Sequence, residues 1–228
     1  MKLLSVIIPV YNEESTVVEV IEKVSRIELP LEKEIIVVDD GSSDGTGKLL
    51  AGREKQITKL YSSPVNIGKG AAVRIGLSFA KGDIILLQDA DLETNPDEYL
   101  QLLQPILDGK TSVVYGSRFL RPNTRVPFLR RVANWGLTAG TNILYGSRLT
   151  DMETAYKVFR REVAEQLRLR ANEFDIEPEL TARICQAGYK ILEVPISYSP
   201  RTRSEGKKIN WRDGVKAVWI LIKCRLNW

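Results

Sequence analysis

A short apolar run that ends in two carboxylates constrains this chain more than any other feature. Ile84–Leu87 is apolar throughout, and Gln88 leads from it into Asp89-Ala90-Asp91. A run of this length predicts a strand buried on both faces of a parallel sheet. Two carboxylates at the tip of such a strand are costly to bury unless something compensates them. The segment therefore predicts an α/β fold with an acidic site at the edge of its sheet.

The spacing of the acidic residues after this strand fits a metal site. Asp89 and Asp91 are followed by Glu93, which would add another oxygen ligand. Mg²⁺ and Mn²⁺ prefer oxygen ligands and often keep positions open for substrate phosphates. The alternative is a solvated acidic turn before a helix that Asn95 caps and Pro96 begins. We predict Asp89, Asp91 and Glu93 as ligands of Mg²⁺ or Mn²⁺.

A second acidic strand end favours the metal interpretation. Glu34–Val38 predicts another buried strand, and Asp39 and Asp40 follow it. Open α/β sheets bind ligands at the carboxyl ends of their strands. Two acidic ends on one edge therefore indicate a nucleotide held by side chains and a metal, with Asp39 placed to bind a ribose or a base edge.

The turn after the first predicted strand lacks the glycine motifs of common nucleotide-binding folds. Leu3–Ile8 runs into Pro9, Tyr11 and Glu13 instead of Gly-x-Gly-x-x-Gly or a Walker A loop. Tyr11 can stack on a base, and Glu13 can accept a hydrogen bond from an exocyclic amine or a ribose hydroxyl. The alternative is an exposed turn with acids that favour the helix dipole.

Basic residues mark two further segment ends. Lys69 lies at a Gly-rich helix start, from which it would approach donor phosphates, although a plain helix start near Asn66 explains the same pattern. Arg118 closely follows the predicted strand Ser112–Gly116. Regular strand–helix alternation ends there: Val126–Tyr145 predicts one or two amphipathic helices, Ile191–Tyr198 a last strand, and Ser199–Lys208 a basic loop. Earlier in the chain, apolar residues at helical spacing predict a first helix that starts near Asn12–Ser15.

Composition excludes several kinds of chemistry. The chain of 228 residues has no histidine, which excludes His-based triads and imidazole acid–base catalysis. Cys185 and Cys224 are far apart, which indicates a reducing compartment rather than a disulfide or a zinc site. The net charge of +4 favours anionic partners. No apolar run is long enough to span a bilayer, and no signal peptide is evident, so we expect a cytoplasmic location.

The C-terminal segment, Trp211–Trp228, predicts an amphipathic helix. Its apolar and aromatic residues recur at helical spacing, and its basic residues lie largely elsewhere. This pattern is typical of a helix at a membrane surface, and a helix docked on the core is the alternative. We expect peripheral association with the cytoplasmic face of a membrane or with a membrane-anchoring subunit.

Several motifs in a fixed order resemble the family 2 glycosyltransferases of GT-A fold. They are Val-Ile-Ile-Pro-Val-Tyr-Asn-Glu, Val-Val-Asp-Asp-Gly-Ser-Ser-Asp-Gly-Thr, Asn-Ile-Gly-Lys-Gly and Asp-Ala-Asp. The later Ser-Arg-Phe, Thr-Asp-Met-Glu-Thr and Glu-Val-Pro-Ile-Ser-Tyr segments are similar to the dolichyl-phosphate mannose synthase branch. The resemblance covers nearly the whole chain before the C-terminal segment. It implies an α/β fold with a mostly parallel, Rossmann-like sheet flanked by helices.

The resemblance also implies that different parts of one GT-A domain bind the donor and the acceptor. Residues 1–118 would form the nucleotide-sugar-binding half, residues 119–209 the acceptor-binding half, and residues 210–228 the amphipathic helix. The implied reaction is metal-dependent transfer of a hexose with inversion. The donor would be a nucleotide sugar of the GDP-mannose or UDP-glucose type, and the acceptor a dolichyl, undecaprenyl or other polyprenyl phosphate.

Donor-site positions of the branch are matched in two groups. The positions around the nucleoside are matched by Pro9, Tyr11, Glu13, Val37 and Asp39. The diphosphate and metal positions are matched by Asp89, Ala90 and Asp91. Glu93 is a departure, because the mannose synthases usually have Gln there, and this leaves the donor sugar open.

Basic positions of the branch are also matched. Arg118 and Arg131 match positions near the reacting phosphates, and Arg201 and Lys207 match a pair on a loop that closes over donor and acceptor. We therefore expect Arg118, Arg131 and Arg201 to bind the acceptor phosphate. Arg118, Arg201 and Lys207 would also bind the donor. Asp91 and Arg118 are the expected catalytic residues.

The acceptor decides whether a base is needed. A lipid phosphate is already an anion at pH 7 and needs no strong base, whereas a sugar hydroxyl of a glycolipid or polysaccharide needs a carboxylate such as Asp151 or Glu153. We include Asp151 among the catalytic candidates for that alternative. A non-enzymatic module for nucleic acid or anionic lipid would leave both acidic strand ends unexplained, and we expect no nucleic-acid partner.

Overall fold

One sheet of seven strands forms the centre of the protein within residues 1–122, 126–201 and 211–226, which the computed structural model describes. The strands are β1 (Leu3–Val10), β2 (Glu32–Asp39), β3 (Lys59–Ser62), β4 (Ile84–Leu87), β5 (Val113–Ser117), β6 (Lys157–Arg160) and β7 (Ile191–Pro195). The helices are α1 (Val17–Arg26), α2 (Thr46–Ala51), α3 (Lys69–Phe79), α4 (Tyr99–Leu107), α5 (Phe128–Tyr145), α6 (Arg161–Gln166), α7 (Ile176–Gln186) and α8 (Trp211–Arg225). A 3₁₀ turn, Pro96–Glu98, precedes α4.

The strand order brings the predicted functional segments to one edge of the sheet. The order is β3-β2-β1-β4-β6-β5-β7, and β6 runs antiparallel to both of its neighbours while the other pairs are parallel. The parallel strands therefore all end at the same edge, and β6 begins there. Helices cover both faces, which confirms the predicted α/β architecture.

Alternate side chains of the central strands supply two separate cores. Val6 and Ile8 pack with α1 and α4 on one face of the sheet, while Ile7 packs with α3 on the other. All four residues of β4 are buried, as the apolar run predicts. The ends of these strands are consequently held by packing on both sides, which gives the edge a rigid base.

Small residues let α3 lie close to the sheet and to the segment before α7. A Cβ atom added to Gly76 would come within 2.3 Å of Ile7 Cγ2. Gly68, which precedes the helix, has a φ of +118°, and a Cβ there would lie 2.4 Å from the Asn172 carbonyl oxygen. The Asp40 carboxylate accepts the Gly68 backbone N–H at 2.7 Å. The start of α3 is thereby fixed at the functional edge.

One face of α5 is polar and supports the segment before β6. Thr138 Oγ1 accepts the backbone N–H of Met152 at 3.1 Å, and Asn134 Oδ1 accepts that of Glu153 at 3.3 Å. The prediction of one or two helices over this region is resolved as one continuous helix. Its buried polar side chains satisfy the backbone of a segment that has no strand partner of its own.

The C-terminal helix docks on the core and also keeps an apolar surface. Ala217, Leu221 and Cys224 of α8 are buried, and the Tyr145 hydroxyl donates to the Leu221 carbonyl at 2.6 Å. Large apolar residues on the remaining surface are exposed: Val215, Val218, Trp219, Ile222 and Leu226. Within the described residues, no helix is both long and apolar enough to cross a bilayer.

Several element boundaries differ from those read from the sequence. The helix expected to start near Asn12–Ser15 begins at Val17, because Asn12 has a φ of +52° and a turn occupies the intervening residues. The last strand ends at Pro195 instead of Tyr198, since the chain leaves the sheet there. The short helix α6 was not predicted. Most of the loop predicted over Ser199–Lys208, including Lys207, lies outside the described residues.

A buried glutamine holds the acidic turn after β4. Gln88 is fully buried, and its Oε1 accepts the hydroxyls of Tyr99 at 2.8 Å and Tyr156 at 2.9 Å. Its Nε2 donates to the Asp89 carbonyl at 2.8 Å and to Thr94 Oγ1 at 3.2 Å. Both tyrosines are also fully buried; the Tyr99 hydroxyl depends on this amide, whereas that of Tyr156 also contacts Thr94. The amide therefore fixes both ends of the turn.

We expect Gln88→Leu to destabilise the protein by about 2–4 kcal/mol, because the buried Tyr99 hydroxyl would lose its acceptor and the buried Tyr156 hydroxyl would lose one of its two partners. Chemical denaturation would measure the loss. Gln104→Leu, on the exposed side of α4, is the matched control and should change the unfolding free energy by less than about 0.5 kcal/mol. Equal effects of the two substitutions would contradict the role of Gln88.

Candidate active site

The acidic turn after β4 concentrates negative charge. The half-buried Asp91 carboxylate accepts the backbone N–H of Glu93 at 3.1 Å. Burial, together with the charges of Asp89 and Glu93, raises the pKa of Asp91 to about 7. A divalent cation would relieve this repulsion and is suited to oxygen ligands. The donor chemistry of Asp91 therefore fits a Mg²⁺ or Mn²⁺ ligand.

A chain of alternating charges leads from this turn into the core. Lys69 Nζ lies 2.7 Å from Asp89 Oδ1 and 2.8 Å from Glu177 Oε1, and the fully buried Lys157 pairs with the other oxygen of Glu177. Burial alone would raise the pKa of Glu177, but Lys157 and Lys69 lower it to about 2. Lys69 thus reaches the predicted phosphate region, where it is paired with Asp89.

The segment after β7 is attached to the acidic turn by charged and polar contacts. The Glu93 carboxylate accepts the Tyr198 hydroxyl at 2.8 Å and the Arg201 backbone N–H at 2.9 Å. The Arg201 guanidinium donates to the Asp91 carbonyl at 2.7 Å and lies 2.7 Å from Glu13 Oε2. Arg201 therefore joins the ends of β1 and β4, where the resemblance places the donor.

The predicted ligand set of three carboxylates is not assembled in this conformation. Across the three described ranges, no three Asp, Glu, Cys or His side chains gather closely enough to hold a metal ion. Asp89 faces Lys69, and Glu93 faces Tyr198 and Arg201. Asp91 is the predicted ligand that lies outside these pairs, so Asp89 or Glu93 could join it only by giving up its present contacts.

Arg118 is held at the end of β5 by a buried carboxylate. Its Nε and Nη2 each donate to Asp151 at 2.7 Å, and its backbone N–H donates to the same residue at 3.0 Å. Asp151 is fully buried, and this bidentate contact occupies both of its oxygens. The geometry favours a positioning role for Asp151 over the general-base role considered from the sequence.

Aromatic rings surround Arg118. Its guanidinium lies 5.1 Å from the Tyr198 ring centre and 5.8 Å from that of Phe119. The exposed Arg131, on the first turns of α5, lies 6.0 Å from the same Phe119 ring. Arg118 and Arg131 are thus neighbours across one aromatic side chain, which agrees with a shared anionic ligand.

The nucleoside positions lie together at the ends of β1 and β2. Pro9, Tyr11 and Glu13 are partly exposed, and Asp39 pairs in register with Val10 beside them. Asp39 accepts the backbone N–H of Ser42 at 3.0 Å. Three of the matched residues are buried: Asp39 is 5% exposed, Val37 lies wholly in the core, and Ala90 is 3% exposed with its carbonyl bonded to Thr16. The apolar side chains of Val37 and Ala90 are not placed to contact a ligand directly.

Sequence reasoning missed several residues that organise this edge. Lys157 and Glu177 complete the charge chain, and Tyr198 joins Glu93 to the ring cluster around Arg118. Asp40 was noted only as part of an acidic strand end, yet it bonds the start of α3. The available signal was a lysine in the middle of Ala155–Phe159, which the sequence predicts as a strand, since Lys157 could be buried there only with an anionic partner.

One polar cluster lies beside Arg118 and has incomplete hydrogen bonding. Glu153 Oε1, Asn134 Nδ2 and Arg130 Nη1 are buried and have no hydrogen-bond partner within the described part of the chain. Burial, with the nearby charge of Glu177, raises the pKa of Glu153 to about 7, although Lys157 and Arg118 oppose the shift. We include these residues in the candidate active site because Glu153 lies two residues after Asp151, which holds Arg118.

Comparison with known families identifies the chain. Residues 5–168, well over half of its length, match the sequence model for the family described as "Glycosyl transferase family 2". The chain belongs to that family. It is therefore a glycosyltransferase, and the acidic turn, Arg118 and the Asp151 segment all lie inside the matched range.

Related sequences include transferases with lipid phosphate acceptors in their names. A dolichyl-phosphate beta-glucosyltransferase from Trichomonas vaginalis is 26% identical over 96% of this chain and 72% of its own length. A dodecaprenyl-phosphate galacturonate synthase from Rhizobium johnstonii is 26% identical over 90% of this chain and 61% of its own length. An uncharacterized protein from Methanocaldococcus jannaschii is 28% identical over 95% of this chain and 90% of its own length.

Solved structures confirm the GT-A fold. Glucosyl-3-phosphoglycerate synthase from Mycobacterium tuberculosis, in complex with Mn²⁺, uridine diphosphate and phosphoglyceric acid, superposes with a TM-score of 0.77. The alignment covers 98% of this chain and 78% of that chain at 23% identity. At this level of identity the similarity establishes the fold, which agrees with the order and direction of strands described above.

We expect Glu153→Gln to stabilise the substrate-free protein at pH 8, by up to about 3 kcal/mol, because it removes the charge of a carboxylate whose Oε1 is buried without a hydrogen-bond partner in the described residues. The raised pKa sets the sign: the penalty is absent below the unfolded value near 4.5 and complete above 7. The gain should therefore shrink as the pH falls towards 4.5. Thermal unfolding at several pH values measures it, and exposed Glu162→Gln is the control; a gain independent of pH would contradict the assignment.

Proposed function

We propose that this glycosyltransferase moves a hexose from a nucleotide sugar to a polyprenyl phosphate, with inversion, using a divalent metal ion. The observation that carries the proposal is the set of arginines at this edge of the sheet: Arg201 contacts the acidic turn, and Asp151 fixes Arg118 beside Arg131 at the end of β5. Fixed guanidinium groups are suited to phosphate oxygens, and two phosphate-bearing ligands would need several of them. The related lipid-phosphate transferases support this acceptor class.

The donor would lie across the ends of β1, β2 and β4. Tyr11, Glu13 and Asp39 would contact the nucleoside, and the diphosphate would reach the acidic turn beside Lys69 and Arg118. Asp91 would hold the metal ion together with diphosphate oxygens, and the ion would supply charge stabilisation to the leaving nucleoside diphosphate. Arg201, which joins Glu13 to the Asp91 backbone, would hold these elements together.

The transfer would be a single displacement. An acceptor phosphate oxygen would attack the anomeric carbon as the bond to the diphosphate oxygen breaks, so the configuration inverts and nucleoside diphosphate leaves. Arg131 and Arg118 would orient the attacking phosphate, which needs no deprotonation at pH 7. A site without histidine, in which Asp151 is already committed to Arg118, is consistent with this chemistry.

A transferase that acts on a sugar hydroxyl is the second candidate, and Glu153 favours it. A hydroxyl acceptor needs a base, and a carboxylate with a pKa near 7 beside Arg118 could act as one. The donor sugar, of the GDP-mannose or UDP-glucose type, is open in both cases. The names of these two relatives specify glucose and galacturonate, so they do not favour mannose as the donor sugar.

The first experiment is turnover on a small panel. GDP-mannose, UDP-glucose and UDP-N-acetylglucosamine would each be offered with a polyprenyl phosphate and Mg²⁺ or Mn²⁺, with and without EDTA. We expect metal-dependent transfer from one donor to the lipid, and Asp91→Asn should lower it at least about 100-fold, because a transition-state charge contact is lost. The same metal, added with nucleoside diphosphate, should raise the melting temperature of the wild type but not of Asp91→Asn.

Controls separate the candidate functions. Asp97→Asn, an exposed carboxylate in the 3₁₀ turn, should keep both turnover and metal-induced stabilisation. Donor binding without transfer to the lipid would move the assignment to a hydroxyl acceptor. Absence of binding by any nucleotide sugar or metal would contradict the proposed function as a whole.

The proposed acceptor makes a membrane surface the expected partner, and exposed residues of α5 and α8 support it. On α5, Phe128, Trp135 and Ile143 are 81%, 71% and 83% exposed, and this helix carries no acidic residue. On α8, the exposed Trp219 lies near basic side chains of the same helix. Aromatic and basic residues together are typical of contact with anionic lipid.

We expect Trp219→Ser to reduce sedimentation with vesicles that contain anionic phospholipid, because the substitution removes exposed apolar area from α8. Leu100→Ser on α4 is the matched control, since Leu100 is also exposed but lies on a different helix. Sedimentation at several salt concentrations measures the effect. Unchanged binding of Trp219→Ser would contradict a role of α8 at the membrane.

A further inference from the structure

We propose that Glu153, Asn134 and Arg130 form a subsite that binds hydroxyl groups of the transferred hexose and sets which sugar is accepted. The inference rests on the proposed function, because it assumes that a nucleotide sugar occupies the site. It goes beyond that function by assigning sugar recognition to residues on α5 and in the segment before β6.

Asn134 contacts the Glu153 segment directly, and helical spacing places Arg130 one turn before Asn134. Asn134 Oδ1 accepts the Glu153 backbone N–H at 3.3 Å, so the amide group lies directly over the Glu153 main chain. Arg130 precedes Asn134 by one helical turn and lies on the same face of α5. The charge of Arg130 acts on the Tyr198 phenol, whose ring stacks with Arg118. The cluster is therefore next to the guanidinium proposed to bind phosphate.

The unsatisfied atoms indicate a ligand. Asn134 is 6% exposed, and its Nδ2 has no hydrogen-bond partner in the described residues. Glu153 Oε1 and Arg130 Nη1 are buried and lack partners under the same restriction. Buried polar atoms without partners are rare and costly. A ligand that satisfies two donors and one acceptor must both accept and donate hydrogen bonds.

The charges of Glu153 and Arg130 indicate which chemical class of ligand would fit. A phosphate would be repelled by the Glu153 carboxylate, and a metal ion would meet Arg130 and only one carboxylate. A sugar hydroxyl donates one hydrogen bond and accepts others, so it can donate to Glu153 while accepting from Asn134 or Arg130. Bonds to charged groups in a buried site discriminate strongly against a ligand that lacks the hydroxyl.

The test compares the accepted nucleotide sugar with its analogues lacking the hydroxyl at C2, C3, C4 or C6. Wild type should use at least one analogue roughly 10- to 100-fold less efficiently in kcat/KM than the parent sugar. Glu153→Met, which keeps the side-chain length without hydrogen-bonding oxygens, should remove most of that discrimination. Arg130→Gln provides a second variant at a partly exposed position. Inhibition by nucleoside diphosphate should be unchanged in both.

The remaining outcomes separate this inference from other roles. Glu162→Met is the control, because Glu162 is exposed beyond the opposite end of β6. Unchanged discrimination in Glu153→Met and Arg130→Gln, with donor turnover retained, would overturn the inference and leave the proposed function standing. Equal losses of kcat for the parent sugar and every analogue, with an altered pH profile, would assign Glu153 as a base instead. Turnover of no nucleotide sugar would overturn both.

Discussion

Compensation of buried charge at the carboxyl edge of the sheet is the constraint on which the rest of the site depends. Helices cover both faces of β4, and the carboxylates after its end are only partly exposed, so water alone does not compensate their charge. Asp89 forms an ion pair with Lys69, and Lys69 also pairs with Glu177. Glu177 pairs in turn with Lys157. Removing one member would leave its neighbour charged and buried, which typically costs several kcal/mol. The chain of charges therefore ties α3 and α7 to the acidic turn.

Some carboxylates at this edge have an ionic partner and others do not. This difference separates those that support the site from those available to a ligand. Asp89 and Asp151 have full ionic partners, and these ion pairs hold Lys69 and Arg118 in place. Asp91 and Glu153 lack such partners, and both have pKa values raised to about 7. Such costs persist where a ligand relieves them. A cation at Asp91 and a sugar hydroxyl at Glu153 would each supply the missing interaction.

Local patterns predicted the strand ends, and long-range pairing decided how they are used. The apolar runs before Asp39 and Asp91 predicted buried strands, and the rule for open α/β sheets placed their ends on one edge. Lys157 and Glu177 could not be assigned in this way, because a buried ion pair leaves no mark in sequence spacing. Glu93 illustrates the same limit. Its spacing from Asp89 and Asp91 predicts a third metal ligand, yet its carboxylate accepts a hydrogen bond from Tyr198, more than 100 residues later in the chain.

The two faces of α5 would connect the proposed sugar subsite to the surface of the protein. Its inner face holds the segment of Asp151 and Glu153 through Asn134 and Thr138. Its outer face carries the exposed Phe128 and Trp135. A helix that contacts a bilayer on one side and braces this segment on the other would transmit any shift of the helix to Arg118 through Asp151. Engagement of a lipid acceptor and ordering of the donor sugar would then be coupled through one rigid element.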